Sequence, residues 1–232
     1  MRIEPEISGC SIVLIGRFNP AIFHPAWLKA KDIQPESNEN TVNLQIVHND
    51  IASFTIDTVS YFVEERRFKI ETTSGPWIRI ADTTRKIFGD HLVHTPITAF
   101  GINRTIHFRL GSHQARHNLG RRLAPLEPWG SFGEQLEAED RQLLGGMTKL
   151  VMTRKSIVNQ TRVNTNVTIE PSARVATDDD GIYMQLNSHH AIEGLPDGHG
   201  CETALELIGS RFQDVSNEAD QIFDLIMTMG SK

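Results

Sequence analysis

The sequence predicts an α+β protein in which two tandem β-α-β(3-4)-α units form one curved, largely antiparallel sheet with helices on one face. Segments with apolar residues at every second position predict half-buried strands, and they alternate with segments of helical spacing. The order strand, helix, three or four strands, helix occurs from Cys10 and again from Ile97. The two units would span 1–95 and 96–232, or form one continuous domain.

The composition is that of an ordinary globular protein. Of its 232 residues, 39% are hydrophobic and 22% are charged, and the formal net charge is −6. An acidic chain is a poor match for binding that depends on neutralising phosphates. No apolar run reaches the roughly 20 residues of a membrane span. The segment after Met1 lacks a secretory signal, so we expect a cytoplasmic protein without membrane contacts and with free thiols at Cys10 and Cys201.

In the first unit, residues 10–18 predict a short buried strand, and His24-Pro25 predicts the start of a short helix. Alternation from residue 42 onward then indicates two hairpins. The predicted pairs are Val42 with Ile56, Leu44 with Phe54 and Ile46 with Ala52 in the first hairpin, and Val63 with Phe68, Tyr61 with Ile70, Val59 with Thr72 and Glu64 with Arg67 in the second. A helix starting at Ser74-Gly75-Pro76 is expected to end near Gly89.

The second unit opens with a long strand followed by a basic helix from Ser112. An acidic insertion at about 126–146, three more strands and a long C-terminal helix from about Cys201 to Met229 complete it. The apolar face of the first strand contains Phe100, Ile102, Ile106, Phe108 and Leu110, interrupted by Arg104. The C-terminal helix has an apolar stripe that suits packing either on its own sheet or against a second helix. This stripe consists of Leu205, Ile208, Phe212, Val215, Ala219, Ile222, Ile226 and Met229.

The order of elements across most of the chain resembles the saddle of the TATA-binding protein. That resemblance implies a curved sheet with helices on its convex side. It includes none of that family's sequence motifs, and a shared fold implies no function by itself.

The open face of the predicted sheet is the first candidate binding site. Its side chains are rich in amides, hydroxyls and imidazoles and poor in carboxylates, and such groups bind bases, phosphates or a partner's backbone. The alternative is a plain solvated face. The predicted binding residues are Asn103, Thr105, His107, Arg109, Arg162, Asn164, Asn166, Tyr183, Gln185 and Asn187.

The basic helix is the second candidate site. Arg116, His117, Arg121 and Arg122 lie within one short segment that suits phosphate or an acidic partner, although such a charge run is also typical of a solvated face. The third candidate is a zinc site with His189, His190, His199 and Cys201 as ligands. Their spacing matches no known zinc motif, and the intervening Gly and Pro favour a flexible connection.

The sequence contains no Gly-rich phosphate loop, no Gly-x-Ser-x-Gly elbow, no Cys-x-x-Cys pair and no dinucleotide fingerprint. We therefore predict a non-enzymatic binding or scaffold protein of a cytoplasmic multi-protein assembly, without a cofactor. It would bind a protein partner through the polar face, or a second copy of itself through the C-terminal helix. The alternatives are a nucleic-acid-binding protein that uses the same face and the basic helix, and a metal-dependent hydrolase.

Overall fold

The computed structural model describes residues 4–33, 42–137, 145–175, 179–192 and 200–230. Within these ranges one open, nine-stranded antiparallel sheet and five α-helices confirm the α+β class. The strands are Ile7–Gly16 (β1), Val42–Val47 (β2), Ile51–Ile56 (β3), Val59–Glu64 (β4), Arg67–Thr72 (β5), Ile97–Arg109 (β6), Leu150–Val158 (β7), Thr161–Pro171 (β8) and Gly181–Ala191 (β9). The helices are Pro25–Ala30 (α1), Ile78–Arg85 (α2), His113–Leu123 (α3), Ser131–Gln135 (α4) and Glu202–Gly230 (α5).

The strand order is β2-β3-β4-β5-β1-β6-β9-β8-β7. The first strand of each predicted unit lies at the centre, where β1 pairs with β6 along nearly its whole length. This pairing joins the two sets of strands into one continuous sheet. The duplication of the units stays a prediction that rests on the order of the elements.

The predicted registers of the two hairpins are largely correct. All four pairs expected between β4 and β5 are present. Between β2 and β3, the pairs of Val42 and Leu44 are as predicted, but Ile46 lies opposite Ser53 instead of Ala52. The register shifts between Leu44 and Ile46, which is the irregularity that an extra residue on one strand produces. A strict alternation cannot reveal such a bulge.

Helix α5 packs its apolar stripe across the chain's own sheet. Leu205, Ile208, Phe212, Val215 and Ala219 are buried as the spacing predicts. Towards the end of the helix, Phe223 and Met227 take the buried positions, while Ile222, Ile226 and Met229 are partly buried against the same core. Helix α2 continues as a π-helical segment over Lys86–His91, slightly past the predicted end near Gly89.

Arg104, the charged residue in the apolar row of β6, makes several polar contacts on the helix side of the sheet. Arg104 is only 5% exposed, and its Nη1 donates to the carbonyl oxygen of Gly9 at 3.0 Å. Its guanidinium forms an ion pair with Asp220 of α5 at 3.1 Å and lies 4.4 Å from the ring centroid of Trp77. Because a buried cation is costly without partners, these contacts explain how arginine fits an otherwise apolar row.

Candidate functional site

A cleft of about 940 Å³ lies on the sheet face opposite the helices. It is lined by alternate side chains of β1, β5, β6 and β9, and by residues 170–174 at the end of β8. Its base is the central β1–β6 pair, where Gly9 faces Thr105 and Gly101 faces Val13. A Cβ atom at Gly9 would lie 2.8 Å from Oγ1 of Thr105, so a larger residue there would require the Thr105 side chain to move.

Six of the ten predicted binding residues line the cleft, namely Asn103, Thr105, His107, Tyr183, Gln185 and Asn187. The other four lie outside it. Arg109 donates through Nε to the buried carboxylate of Asp180, and the amide oxygen of Asn166 accepts from Thr153. Arg162 and Asn164 are exposed on β8, one strand beyond β9. The polar face is therefore wider than the cleft, which is centred on β1 and β6.

Amide side chains form a connected row across the cleft. Asn103 lies between Ser11 of β1 and Asn187 of β9. Its Oδ1 accepts from Nε2 of Gln185 at 3.2 Å and from Nδ2 of Asn187. These two donors fix the orientation of the Asn103 amide and leave its Nδ2 without an acceptor in the described part of the chain. Asn103 is only 4% exposed as a whole, but its Nδ2 is not among the buried polar atoms without a partner in the described residues, so this donor is accessible from the cleft.

A second polar group lies at the end of the cleft near the turn after β8. Nδ1 of His107 is 2.7 Å from Oγ of Ser172, and the same Oγ accepts from the backbone N–H of Arg174 at 3.2 Å. Because a hydroxyl oxygen can accept two hydrogen bonds, the His107–Ser172 bond forms with either nitrogen of the neutral imidazole protonated. Burial, together with the charge of Arg174, lowers the pKa of His107 and so favours this neutral ring.

The aromatic ring of Tyr183 completes this end of the cleft. Its centroid is 4.8 Å from that of His107. Burial and the nearby carboxylate of Glu170 raise the pKa of Tyr183, so its phenol keeps its proton. Although Ser172 lies within reach of a histidine, no carboxylate orients His107 among the residues that the structure describes. The arrangement suits anchoring of the 172–175 turn better than nucleophilic catalysis.

The opposite side of the cleft is formed by β5 and was missed by the sequence analysis. Arg67, Lys69 and Glu71 alternate there and face the cleft. Lys69 and Glu71 form an ion pair at 2.5 Å, whereas the guanidinium of Arg67 lies 5.8 Å from the ring centroid of Phe62. Alternating charges on a short hairpin are typical of a solvated strand, so the pattern alone gave no reason to select them.

The cations of the basic helix, α3, are engaged within the protein. Arg116 pairs with Asp179 at 2.5 Å, and Arg121 pairs with Glu137 at 3.3 Å. Arg122 donates to the carbonyl oxygen of Met229 at 2.7 Å. Burial lowers the pKa of His117, and the neighbouring His113 adds to that effect. These contacts tie α3 to the turn before β9 and to the end of α5.

The predicted zinc ligands do not converge where the structure describes them. His189 lines the cleft, whereas His190 lies on the helix side, fully buried and stacked on Phe100 with a centroid distance of 4.3 Å. Cys201 is buried in the core, with its Sγ donating to the carbonyl oxygen of Phe88. His199 lies outside the described residues. Within the described ranges, no group of three or more His, Cys, Asp or Glu side chains is placed to hold a metal ion.

The two thiols are free, as predicted, and both Cys10 and Cys201 are buried. Across the residues described, no helix combines the length and apolar character needed to cross a membrane.

No protein-family model and no curated protein matches this chain. The fold and the site therefore define a protein with an open antiparallel sheet and a polar cleft on its helix-free face.

Proposed function

We propose that this is a non-enzymatic binding protein that holds an extended segment of a partner protein in the cleft. The observation that supports it is the Asn103 amide, which is 4% exposed and keeps its Nδ2 available at the base of the cleft. A ligand that supplies an acceptor to Nδ2 adds a hydrogen bond with a net contribution of about 0.5–1.5 kcal/mol.

The cleft offers both hydrogen-bond donors and acceptors to such a ligand. The donors include Nδ2 of Asn103, and Nε2 of His107 is a donor or an acceptor according to the tautomer of the ring. Gln185 and Asn187 use their amide N–H groups on Asn103 and present their amide oxygens as acceptors. A peptide backbone carries an N–H donor and a C=O acceptor on nearly every residue. A mixed set of donors and acceptors therefore suits a peptide better than a phosphodiester backbone, which offers only acceptors.

Two further observations favour a protein partner over nucleic acid. The arginines of α3 that a nucleic acid would need are engaged with Asp179, Glu137 and Met229. The net charge of −6 also opposes a polyanion. We place the protein in a cytoplasmic assembly, for which two buried free thiols are suitable.

Site-specific photo-crosslinking in the native cell tests this proposal. A photoreactive amino acid replaces Ser60, which lies on β4 at the edge of the cleft. In a second variant it replaces Leu225, which is 69% exposed on α5. We expect a protein adduct from position 60, none of the same mass from position 225, and loss of the adduct when Asn103→Leu is added. Equal adducts from both positions, or an adduct of nucleic acid at position 60, would contradict the proposal.

A further inference from the structure

We infer that the segment bound in the cleft is acidic, with carboxylates that meet Arg67 at one end and Arg174 at the other. This inference rests on the proposed function and specifies the chemistry of the partner. It follows from the balance of charges around the cleft, from the positions of the two arginines at opposite ends of β1 and from the polar groups between them.

The charged side chains around the cleft are only partly neutralised. Lys69 pairs with Glu71 at 2.5 Å, and Glu170 pairs with Lys149 at 2.9 Å. Neither Arg67 nor Arg174 forms an ion pair with any residue in the described ranges, and both are exposed. The cleft thus has an excess of positive charge within a protein whose net charge is −6. Such a local excess selects an anionic ligand.

The two arginines lie at opposite ends of the cleft. Arg67 is paired with Ile15 near one end of β1. At the other end of β1, Ile7 is paired with His107, which contacts Ser172 next to the Arg174 turn. The rows of Ile15 and Ile7 are separated by about 26 Å at the usual rise of a strand. An extended segment of about eight to ten residues is therefore long enough to span the cleft between these two rows.

The groups between the arginines distinguish an acidic peptide from other anions. Arginine binds carboxylate through two parallel hydrogen bonds, which gives each end of the segment a defined position. Between these ends the amide oxygens of Gln185 and Asn187 require N–H donors, which the backbone of a peptide supplies. Nδ2 of Asn103 donates to one of its carbonyl oxygens. An oligonucleotide backbone would leave the two amide oxygens without donors.

Fluorescence anisotropy with defined probes tests the inference on the full-length protein. The probe is a fluorescein-labelled ten-residue peptide with two Glu at each end and Ser, Asn and Thr between them, and the matched peptide has Gln in place of Glu. We expect the Glu peptide to bind about tenfold tighter than the Gln peptide, with affinity that falls as salt increases. Arg67→Ala and Arg174→Ala should each weaken binding by about three- to tenfold.

Two further variants make the test specific to the cleft. Arg66→Ala removes an exposed guanidinium that neighbours Arg67 but does not line the cleft, so affinity should stay unchanged. Gly101→Val adds a side chain at the base of the cleft. The nearest atom to its Cβ would be Nδ2 of Asn187 at 3.5 Å, which is an ordinary contact distance. This variant should keep the wild-type circular dichroism and lose binding.

Equal binding of the Glu and Gln peptides, or wild-type affinity in both arginine variants, would overturn the inference. A ten-nucleotide oligo-dT that binds more tightly than the Glu peptide would also overturn it. If crosslinking at position 60 captures a partner segment without Asp or Glu, the acidic ligand is refuted while the proposed function stands. If no adduct forms at position 60, both the proposed function and the acidic ligand are refuted.

Discussion

His190 is predicted to make the stability of this protein depend on pH. It is fully buried on the helix side of the sheet, where its ring stacks on Phe100 and its Nε2 is 3.1 Å from Oγ of Ser188. Burial, with smaller contributions from Arg211 and His189, lowers the pKa of His190 from its ordinary 6.5 to about 4. Between these two pH values the His190 imidazole is therefore protonated in the unfolded chain and neutral in the folded protein.

The sign and size of the effect follow from this difference in proton binding. The contribution of neutral His190 to the free energy of unfolding is fully present above pH 6.5. It is lost as the pH falls towards 4, and the total loss is about 3 kcal/mol. Between pH 7.5 and pH 4.5 the loss due to His190 is about 2.5 kcal/mol. His190→Leu removes the titrating group, so the variant should lose less stability than the wild type over this interval by about that amount.

Urea unfolding at the two pH values, followed by circular dichroism, measures these differences. Ser188→Ala is the matched control because it removes the hydrogen bond of His190 but keeps the buried imidazole. This control should be less stable at both pH values and should show the same pH dependence as the wild type. If His190→Leu and the wild type lose equal stability between pH 7.5 and pH 4.5, then His190 is not held neutral by burial and the reasoning fails.

Two other predictions concern buried groups. Asp220→Ala leaves the buried Arg104 without its carboxylate, and because Asp220 is itself half exposed, the free energy of unfolding should fall by about 1–2 kcal/mol. The double variant Arg104→Met with Asp220→Leu removes both charges and should cost less, and a larger loss in urea unfolding would contradict this account. Burial raises the pKa of Cys10 to about 12 and raises that of Cys201. A thiol reagent should therefore label neither cysteine at pH 8 in the native protein and both in urea, and rapid labelling of the native state would contradict the buried positions.

The sequence indicated only some of the residues of the candidate site. Asn103, Gln185 and Asn187 could be selected because they lie on the polar side of long alternating strands, and the structure places all three in the cleft. Arg67 and Arg174 could not, because their role depends on which strands lie beside β1 and on where the turn after β8 folds. Ser172 gave no signal, since its contact with His107 joins residues 65 positions apart.

The sequence by itself determined the order of the elements, the buried face of most strands and the register of the β4–β5 hairpin. These features depend on local alternation, on helical spacing and on turn residues, which a chain displays along its length. Only the tertiary structure decided that β1 pairs with β6. It also decided that Asp220 and Trp77 contact the guanidinium of Arg104. It also decided which polar residues share the cleft. These outcomes depend on contacts between distant segments, and local patterns do not specify which segments meet.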